Sequence, residues 1–316
     1  MILGLDIGGA NTKAGSADGS FTKSVYLPLW KEAPLIEVLR EISREKPAAV
    51  GVVMTGELAD CYKSKLEGIE SIMAAVRVAF TCPIGFWGSK GFQPGSLMEL
   101  AAANWSASAS LIAQDIGDCL FVDMGSTTTD LIPIKGKALA AASDYRRLRN
   151  GELVYTGLLR TSLGALMPSF RIDGADVPTS PELFAITADA YLALGEISED
   201  HYTCDAPDRA GKDHLSAKRR LARLICADLE ELGEAGAMAL AEQARERQLD
   251  LLVRAIYRQS EVYGLEQVAV AGIGERVIAR ACDFLGLQCI RLSEKYGKRI
   301  SDIFPAYAVA RLLADQ

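Results

Sequence analysis

Asp6 and Asp123 each end an apolar run and open onto small residues. The first run reads Leu5-Asp6-Ile7-Gly8-Gly9-Ala10-Asn11-Thr12-Lys13, the second Val122-Asp123-Met124-Gly125-Ser126-Thr127-Thr128-Thr129-Asp130. Backbone N–H groups reach a phosphate chain closely only where no bulky side chain intervenes. Gly8, Gly9, Asn11 and Thr12 meet that need in the first turn, and Gly125, Ser126, Thr127 and Thr128 in the second. The two carboxylates are candidate ligands for Mg²⁺, directly or through water, which would neutralise a phosphoanhydride. Lys13 adds a movable cation beside the first turn. Seen once, an acid before a glycine turn reads most simply as a tight turn with a solvated acid. Here the unit recurs in both halves of the chain, each time between an apolar strand and a returning one, and that duplication is the strongest signal in the sequence.

A third glycine turn, Ala271-Gly272-Ile273-Gly274, follows another apolar run. It fails as a dinucleotide fingerprint because Val277 stands where the last glycine belongs. Gly272 and Gly274 better suit a substrate loop under adenine or another flat group.

The elements that must carry these turns follow from hydrophobic period. Alternation predicts strands over 2–7, 12–16, 50–54, 119–123, 128–134, 267–271 and 288–292. Helical spacing marks Pro34–Arg44, with Leu35, Val38, Leu39 and Ile42 on one stripe, and Gly68–Phe80. An Ala-rich helix is expected over Ser96–Ala113, with Ser96 as N-cap and Glu99 completing a capping box. Residues 135–215 are irregular. A charge-rich helical stretch, Ser216–Tyr263, breaks near Gly233–Gly236; Glu275–Leu285 and Ser301–Leu313 complete the helices, the last capped by Ser301.

Composition narrows the function classes. A chain of 316 residues, 49% hydrophobic and 24% charged, has the material for two domains with real cores. A net charge of -7 argues against a duplex nucleic-acid binder. No apolar run is long enough to span a bilayer, and the N-terminal run lacks a basic flank, so membrane and secretory readings are not expected. Seven cysteines without a C-x-x-C pair suggest reduced thiols in a cytoplasmic protein. With only His201 and His214, a histidine metal site or a Ser-His-Asp triad is not expected.

The motifs together resemble a known group. Asp6 to Lys13 is similar to the first phosphate motif of the actin-like ATPase (sugar kinase/Hsp70/actin) superfamily, Val122 to Asp130 to the second in its hydantoinase/oxoprolinase style, and Ala269 to Gly274 to the adenosine motif. Ser126 departs from the pattern, standing where the superfamily usually has a second glycine. The resemblance implies an α/β fold of two ribonuclease-H-like domains with a central cleft and a helical, irregular insertion in the second half. We expect domains at 1–115 and 116–300, with the insertion at 140–262 and the helix 301–316 packing back on the first domain.

A narrower resemblance runs through Met98 to Trp105, Tyr155 to Thr161, Thr187 to Tyr191 and Tyr202 to Asp208. These segments are similar to a small family of tetrahydromethanopterin-linked one-carbon metabolism, whose characterised activity makes a methanofuran intermediate. The resemblance implies a transferase. The diphosphate of an aminomethylfuranylmethyl diphosphate is displaced by the phenol of a γ-glutamyltyramine-like acceptor, giving an aryl ether and pyrophosphate. The turns would hold the leaving diphosphate with Mg²⁺ at Asp6 and Asp123. Asp189 or Asp205 would accept the phenol proton or bind metal. Among Arg146, Arg147, Arg149 and Arg160, the last lies in a family-like context and is the candidate anion reader, and Asn104 joins it as a substrate contact. Trp105 either flanks an aromatic substrate or belongs to the core. The alternative on the same fold is an ATP-dependent small-molecule kinase or hydantoinase-like ATPase, with ATP as its cofactor; a nucleotide-binding regulatory module is a third.

Overall fold

The computed structural model describes residues 1–31 and 33–316. Strand β1 (Ile2–Gly8) is the centre of the first sheet. It runs antiparallel to β2 (Asn11–Ser16), which pairs with β3 (Thr22–Tyr26). Helix α1 (Leu35–Ser43) then crosses over to β4 (Ala49–Thr55), parallel to β1, and α2 (Lys65–Ala79) leads to β5 (Ile84–Phe86). The sheet order is β3-β2-β1-β4-β5.

After α3 (Asn104–Asp115) the plan repeats. Strand β6 (Cys119–Met124) pairs antiparallel with β7 (Thr129–Lys135), and β7 with the short β8 (Lys137–Ala138). Helix α4 (Asp144–Asn150), strand β9 (Leu153–Val154), helix α5 (Leu163–Leu166), the hairpin β10 (Ser169–Ile172) and β11 (Ala175–Pro178), and helices α6 (Thr187–Ala193), α7 (His214–Arg223) and α8 (Leu229–Tyr263) come next. Helix α8 breaks at Gly233, whose φ of 74° no helix accommodates. Strand β12 (Gln267–Ala271) then lies parallel to β6, and β13 (Gln288–Arg291) parallel to β12, joined by α9 (Glu275–Leu285). The second sheet therefore reads β8-β7-β6-β12-β13, the order of the first.

Both faces of the second sheet are buried, as its unbroken apolar runs require. Leu120, Val122 and Val270 face α8 and α9, whereas Phe121, Ile132 and Ala269 face a core built around α3 and the last helix, α12 (Phe304–Ala314). That core also takes in Val53 of the first sheet, so α3 and α12 are the layer between the sheets. Gly4 shows why the contact is close: a Cβ there would lie 1.9 Å from the Ala306 carbonyl oxygen. Helix α12 thus rests directly on β1.

Two boundaries differ from expectation. Residues Leu97–Leu100 form one 3₁₀ turn, Ser96 makes no side-chain cap, and Glu99 instead accepts from Gly95 N–H and Lys90. Ala102 sits at a φ of 48°, which no α-helix can continue through, so the Ala-rich helix starts at Asn104. At the C-terminal end α10 (Leu292–Tyr296) follows β13, and the helix expected over Ser301–Leu313 is split between α11 (Lys298–Asp302) and α12. Ser301 is no cap: it is buried within α11 and its hydroxyl donates to Glu275.

Candidate active site

Ligands of open α/β sheets gather at the carboxyl ends of parallel strands. Here those ends carry Asp6 and its turn after β1, Gly56 and Glu57 after β4, Asp123 and its turn after β6, and Gly272 after β12. The two acid-tipped turns meet: the Asn11 amide donates to Ser126 Oγ at 3.1 Å, across 115 residues of sequence. Gly8, Gly9, Asn11 and Lys13 are partly exposed on one side, Gly125, Ser126, Thr127 and Thr128 on the other. Thr12 lies deeper, fully buried.

The backs of both turns are held by carbonyl contacts. Gly9 and Ala10 accept from Leu29 and Leu27, while Gly125 accepts from Leu158 and Ser126 from both Leu159 and Arg160. Gly125 N–H closes its own turn on the Thr128 carbonyl. Gly157 is needed behind the second turn, since a Cβ there would stand 2.4 Å from Thr127 N.

Asp6 and Asp123 are both buried, at 5% and 9% exposure. Burial raises the Asp6 carboxyl to about 6 and that of Asp123 to about 7; Lys13, paired opposite Asp6 in the β1–β2 ladder, pulls both down, and Asp130 pushes both up. Asp6 Oδ1 has no hydrogen-bond partner among the described residues. A buried orphan acceptor of this kind suits a hard cation. No cluster of three metal-ligating side chains exists among the described residues. Mg²⁺ does not require one, since it is commonly held by one or two carboxylates, waters and substrate phosphates. The two acids therefore fit Mg²⁺ brought with a diphosphate.

Three groups that sequence reasoning left without a role lie around the two turns. Asp130 faces Asp123 across the β6–β7 ladder. Arg147 pairs with Asp130 and with Asp144 at 3.1 Å, and its guanidinium lies 5.1 Å from the Trp105 ring centre. Arg147 is 1% exposed, so it is a buried counter-ion, whereas Arg146 and Arg149 are solvated. Trp105 is the core residue that supports it. Glu57 is 2% exposed, with Oε2 unpartnered among the described residues; burial raises its carboxyl above the ordinary range, helped by the nearby Asp144 charge and opposed by Lys65. Gly56 holds it against the first turn, since a Cβ there would lie 3.0 Å from the Gly8 carbonyl. An acid at the end of a parallel strand beside β1 was the available signal.

Several expected site residues have other work. Asp189 is wholly buried: it accepts from Ile186 N–H at 2.9 Å, from Tyr202 OH at 2.9 Å and from Arg220 Nε at 2.8 Å. An enclosed, fully paired carboxylate takes no substrate proton, so Asp189 is structural. Asp205 is half-exposed and accepts from Lys31 at 2.7 Å and Tyr26 at 3.1 Å. The Lys31 hydrogen bond holds its carboxyl below the usual range, which makes it a poor base. Gly272 and Gly274 are buried, with their N–H groups donating to Ser301 and Met124 carbonyls. A Cβ on Gly272 would stand 2.3 Å from Asp123 Oδ1, so these glycines seat the third turn on the second, directly against one of the two acids. Asn104 Oδ1 accepts its neighbour's N–H, from Trp105 at 2.7 Å, and opens α3. Arg160 does reach the turn: it donates to Thr127 Oγ1 at 3.0 Å and stacks 4.6 Å from the Trp30 ring centre.

Three of the four segments carrying the narrower resemblance, all but Met98 to Trp105, contribute to buried polar contacts. Gln248 donates to Thr156 Oγ1 and the Gly157 carbonyl and accepts from Tyr191, while Thr187 donates to Gly157. Asp208 bridges Arg220 and Arg223. This network fixes the segment that grips the second turn from behind.

The hydantoinase/oxoprolinase family profile matches residues 48–316. The chain belongs to the hydantoinase/oxoprolinase family. It is 41% identical, over 100% of its own length and 98% of the other's, to the (4-{4-[2-(gamma-L-glutamylamino)ethyl]phenoxymethyl}furan-2-yl)methanamine synthase of Methanocaldococcus jannaschii. It is 36% identical to the protein of the same name from Methanococcus vannielii, over 66% of this chain and 96% of that one. Among solved structures, a ROK family glucokinase from Streptomyces griseus in complex with glucose and AMPPNP superimposes with a TM-score of 0.52 at 12% identity, covering 100% of this chain and 99% of that one. That likeness shows the fold: an α/β chain with two sheets of the same strand order, as in that kinase.

Proposed function

We propose that the chain is a transferase of methanofuran-type cofactor biosynthesis. It joins an aminomethylfuranylmethyl diphosphate to the phenol of a γ-glutamyltyramine-like acceptor. The furanylmethyl carbon–oxygen bond to diphosphate breaks, an aryl ether bond forms, the phenolic proton leaves with a base, and pyrophosphate departs. The observation that carries this is the 41% identity over the whole chain to a synthase whose name describes such a phenoxymethyl-furan product. The meeting of two acid-tipped turns supports it, because a leaving diphosphate needs donors from both sides.

In this mechanism the free N–H faces of the two turns, Lys13 and Ser126 bind the diphosphate more strongly as its charge grows, which lowers the barrier by differential stabilisation. When bound, Mg²⁺ held by Asp6 and Asp123 supplies further charge neutralisation. Arg160 orients the substrate at Thr127, against the Trp30 face. Glu57, whose Oε2 is without a partner among the described residues and whose carboxyl is raised by burial, takes the phenolic proton. Asp130, Asp144 and Arg147 position the acids around it. The same proposal divides the chain into residues 1–115 and 116–300, with 140–262 inserted and 301–316 returning to the first unit. The substrates are small molecules. No helix among the described residues is long and apolar enough to cross a membrane. The ATP-dependent alternative is not favoured, because the full-length relative at 41% identity is named a synthase of the phenoxymethyl-furan product.

Incubation with the furan diphosphate and γ-glutamyltyramine, followed by mass spectrometry, tests the reaction. Ether and pyrophosphate are expected in equal amounts without ATP. Ether that forms only with ATP, or no ether at all, defeats the assignment. Arg160→Ala is expected to raise the KM for the diphosphate about tenfold, the scale of a lost charge-assisted hydrogen bond. Its melting temperature should stay within a few degrees of wild type; a lowered melting temperature at unchanged KM would make Arg160 structural.

A further inference from the structure

Beyond the turns, one cavity lies on the seam between the two halves of the chain. It holds about 250 Å³ and is lined by Lys31, Asp205, Ala206, Arg209, Ala210 and Lys212. Three cations and one carboxylate meet here, in a chain whose net charge is -7. Lys31 comes from the first half and Asp205 from the second, joined at 2.7 Å. Lys212 lies 5.8 Å from the Tyr202 ring centre. Arg209 adopts a φ of 57°, a left-handed conformation that a long side chain takes up only against a cost. Nothing in the mechanism above uses these groups.

The cavity is continuous in contacts with the second turn. Lys31 follows Trp30, Trp30 carries the Arg160 guanidinium on its ring, and Arg160 bonds Thr127. An acceptor lying along that line would have its phenol at the turns and its far end at the cavity. On the proposed reaction, that far end is a γ-glutamyl group, which bears one ammonium and one carboxylate. We propose that this cavity is the recognition site for the zwitterionic amino-acid end of the acceptor. Asp205 receives the ammonium, and Arg209 and Lys212 receive the carboxylate. Arg supplies a planar fork that fits a carboxylate and Lys a compact charge. Lys31 holds Asp205 in place and keeps it ionised.

This assignment rests on the transferase proposal, and the test separates the two. The substrates are γ-glutamyltyramine and tyramine, which differ only in the glutamyl end. Steady-state ether formation gives the ratio of kcat/KM for the two acceptors in wild type, Arg209→Ala and Lys212→Ala. Wild type should favour γ-glutamyltyramine, and each variant should shrink that preference about tenfold through KM, as expected for one lost charged contact. Lys212→Arg should retain most of it. Equal use of both acceptors by wild type overturns the site while leaving the transferase intact, as does an undiminished preference in both alanine variants. If neither acceptor gives ether, the transferase proposal fails first and takes the site with it.

Discussion

Asp123→Asn and Asp6→Asn are each expected to lower turnover by at least about 10²-fold while the protein remains folded. On the proposed reaction both acids lie where charge develops on the departing diphosphate, and Lys13 is the cation that pulls on both. An asparagine keeps the shape but supplies no negative charge to a metal. Stability should move the other way. Burial raises the two carboxyls to about 6 and about 7, above their ordinary value near 4, so the folded protein holds more protons than the unfolded chain across that interval. The stability associated with them is complete below roughly pH 4 and is lost as the pH climbs to about 7. At pH 8 each asparagine variant should therefore melt at or above the wild-type temperature, and the difference should shrink at pH 5. Melts at the two pH values beside turnover assays check this. Activity within a few-fold of wild type in both variants contradicts the diphosphate role.

Glu57→Gln should reduce kcat by about 10²–10⁴-fold, the usual worth of a general base. The phenol has a reference pKa of about 10 and attacks well only as it loses its proton. If Glu57 is that base, an acceptor phenol already ionised at neutral pH should restore much of the lost rate. A nitro-substituted acceptor supplies such a phenol. The same acceptor should not rescue Asp123→Asn, whose defect lies in the leaving group. Equal rescue of both variants, or of neither, removes Glu57 from proton transfer. Glu57 is packed under Gly68 of α2, so the Gln variant, which conserves volume, is the informative one.

The duplicated turns were readable because local chemistry specifies them. An apolar strand, an acid and glycine leave few other structures, and two copies imposed the same sheet order twice. What could not be read is how distant segments pair. Asp189 lies in an apolar helix, and only Arg220, 31 residues later, decides that it is a buried ion-pair member. Arg147 stood among three other arginines, and its distinction comes from Asp130, across a ladder, and Trp105, on another helix. Glu57 follows a short strand with no motif of its own; it matters because β4 is hydrogen-bonded beside β1. The third turn is ambiguous in sequence for a related reason. Its glycines are demanded by close packing on Asp123 and Met124, and a glycine required by a neighbouring backbone looks in sequence like one required by a ligand. Helix starts at Ala103–Asn104 and Ile303–Phe304 were missed because backbone turns there, not side-chain caps, set the boundary.

Everything proposed for catalysis depends on a pyrophosphoryl group seated between the Asn11 and Ser126 turns. Calorimetric titration of the protein with pyrophosphate and with ATP, each with Mg²⁺ present and absent, measures that most directly. Pyrophosphate should bind more tightly than ATP, only weakly without the metal, and hardly at all to the Asp6→Asn, Asp123→Asn double variant. Tighter binding of ATP, or pyrophosphate binding that the double variant retains, would contradict the account.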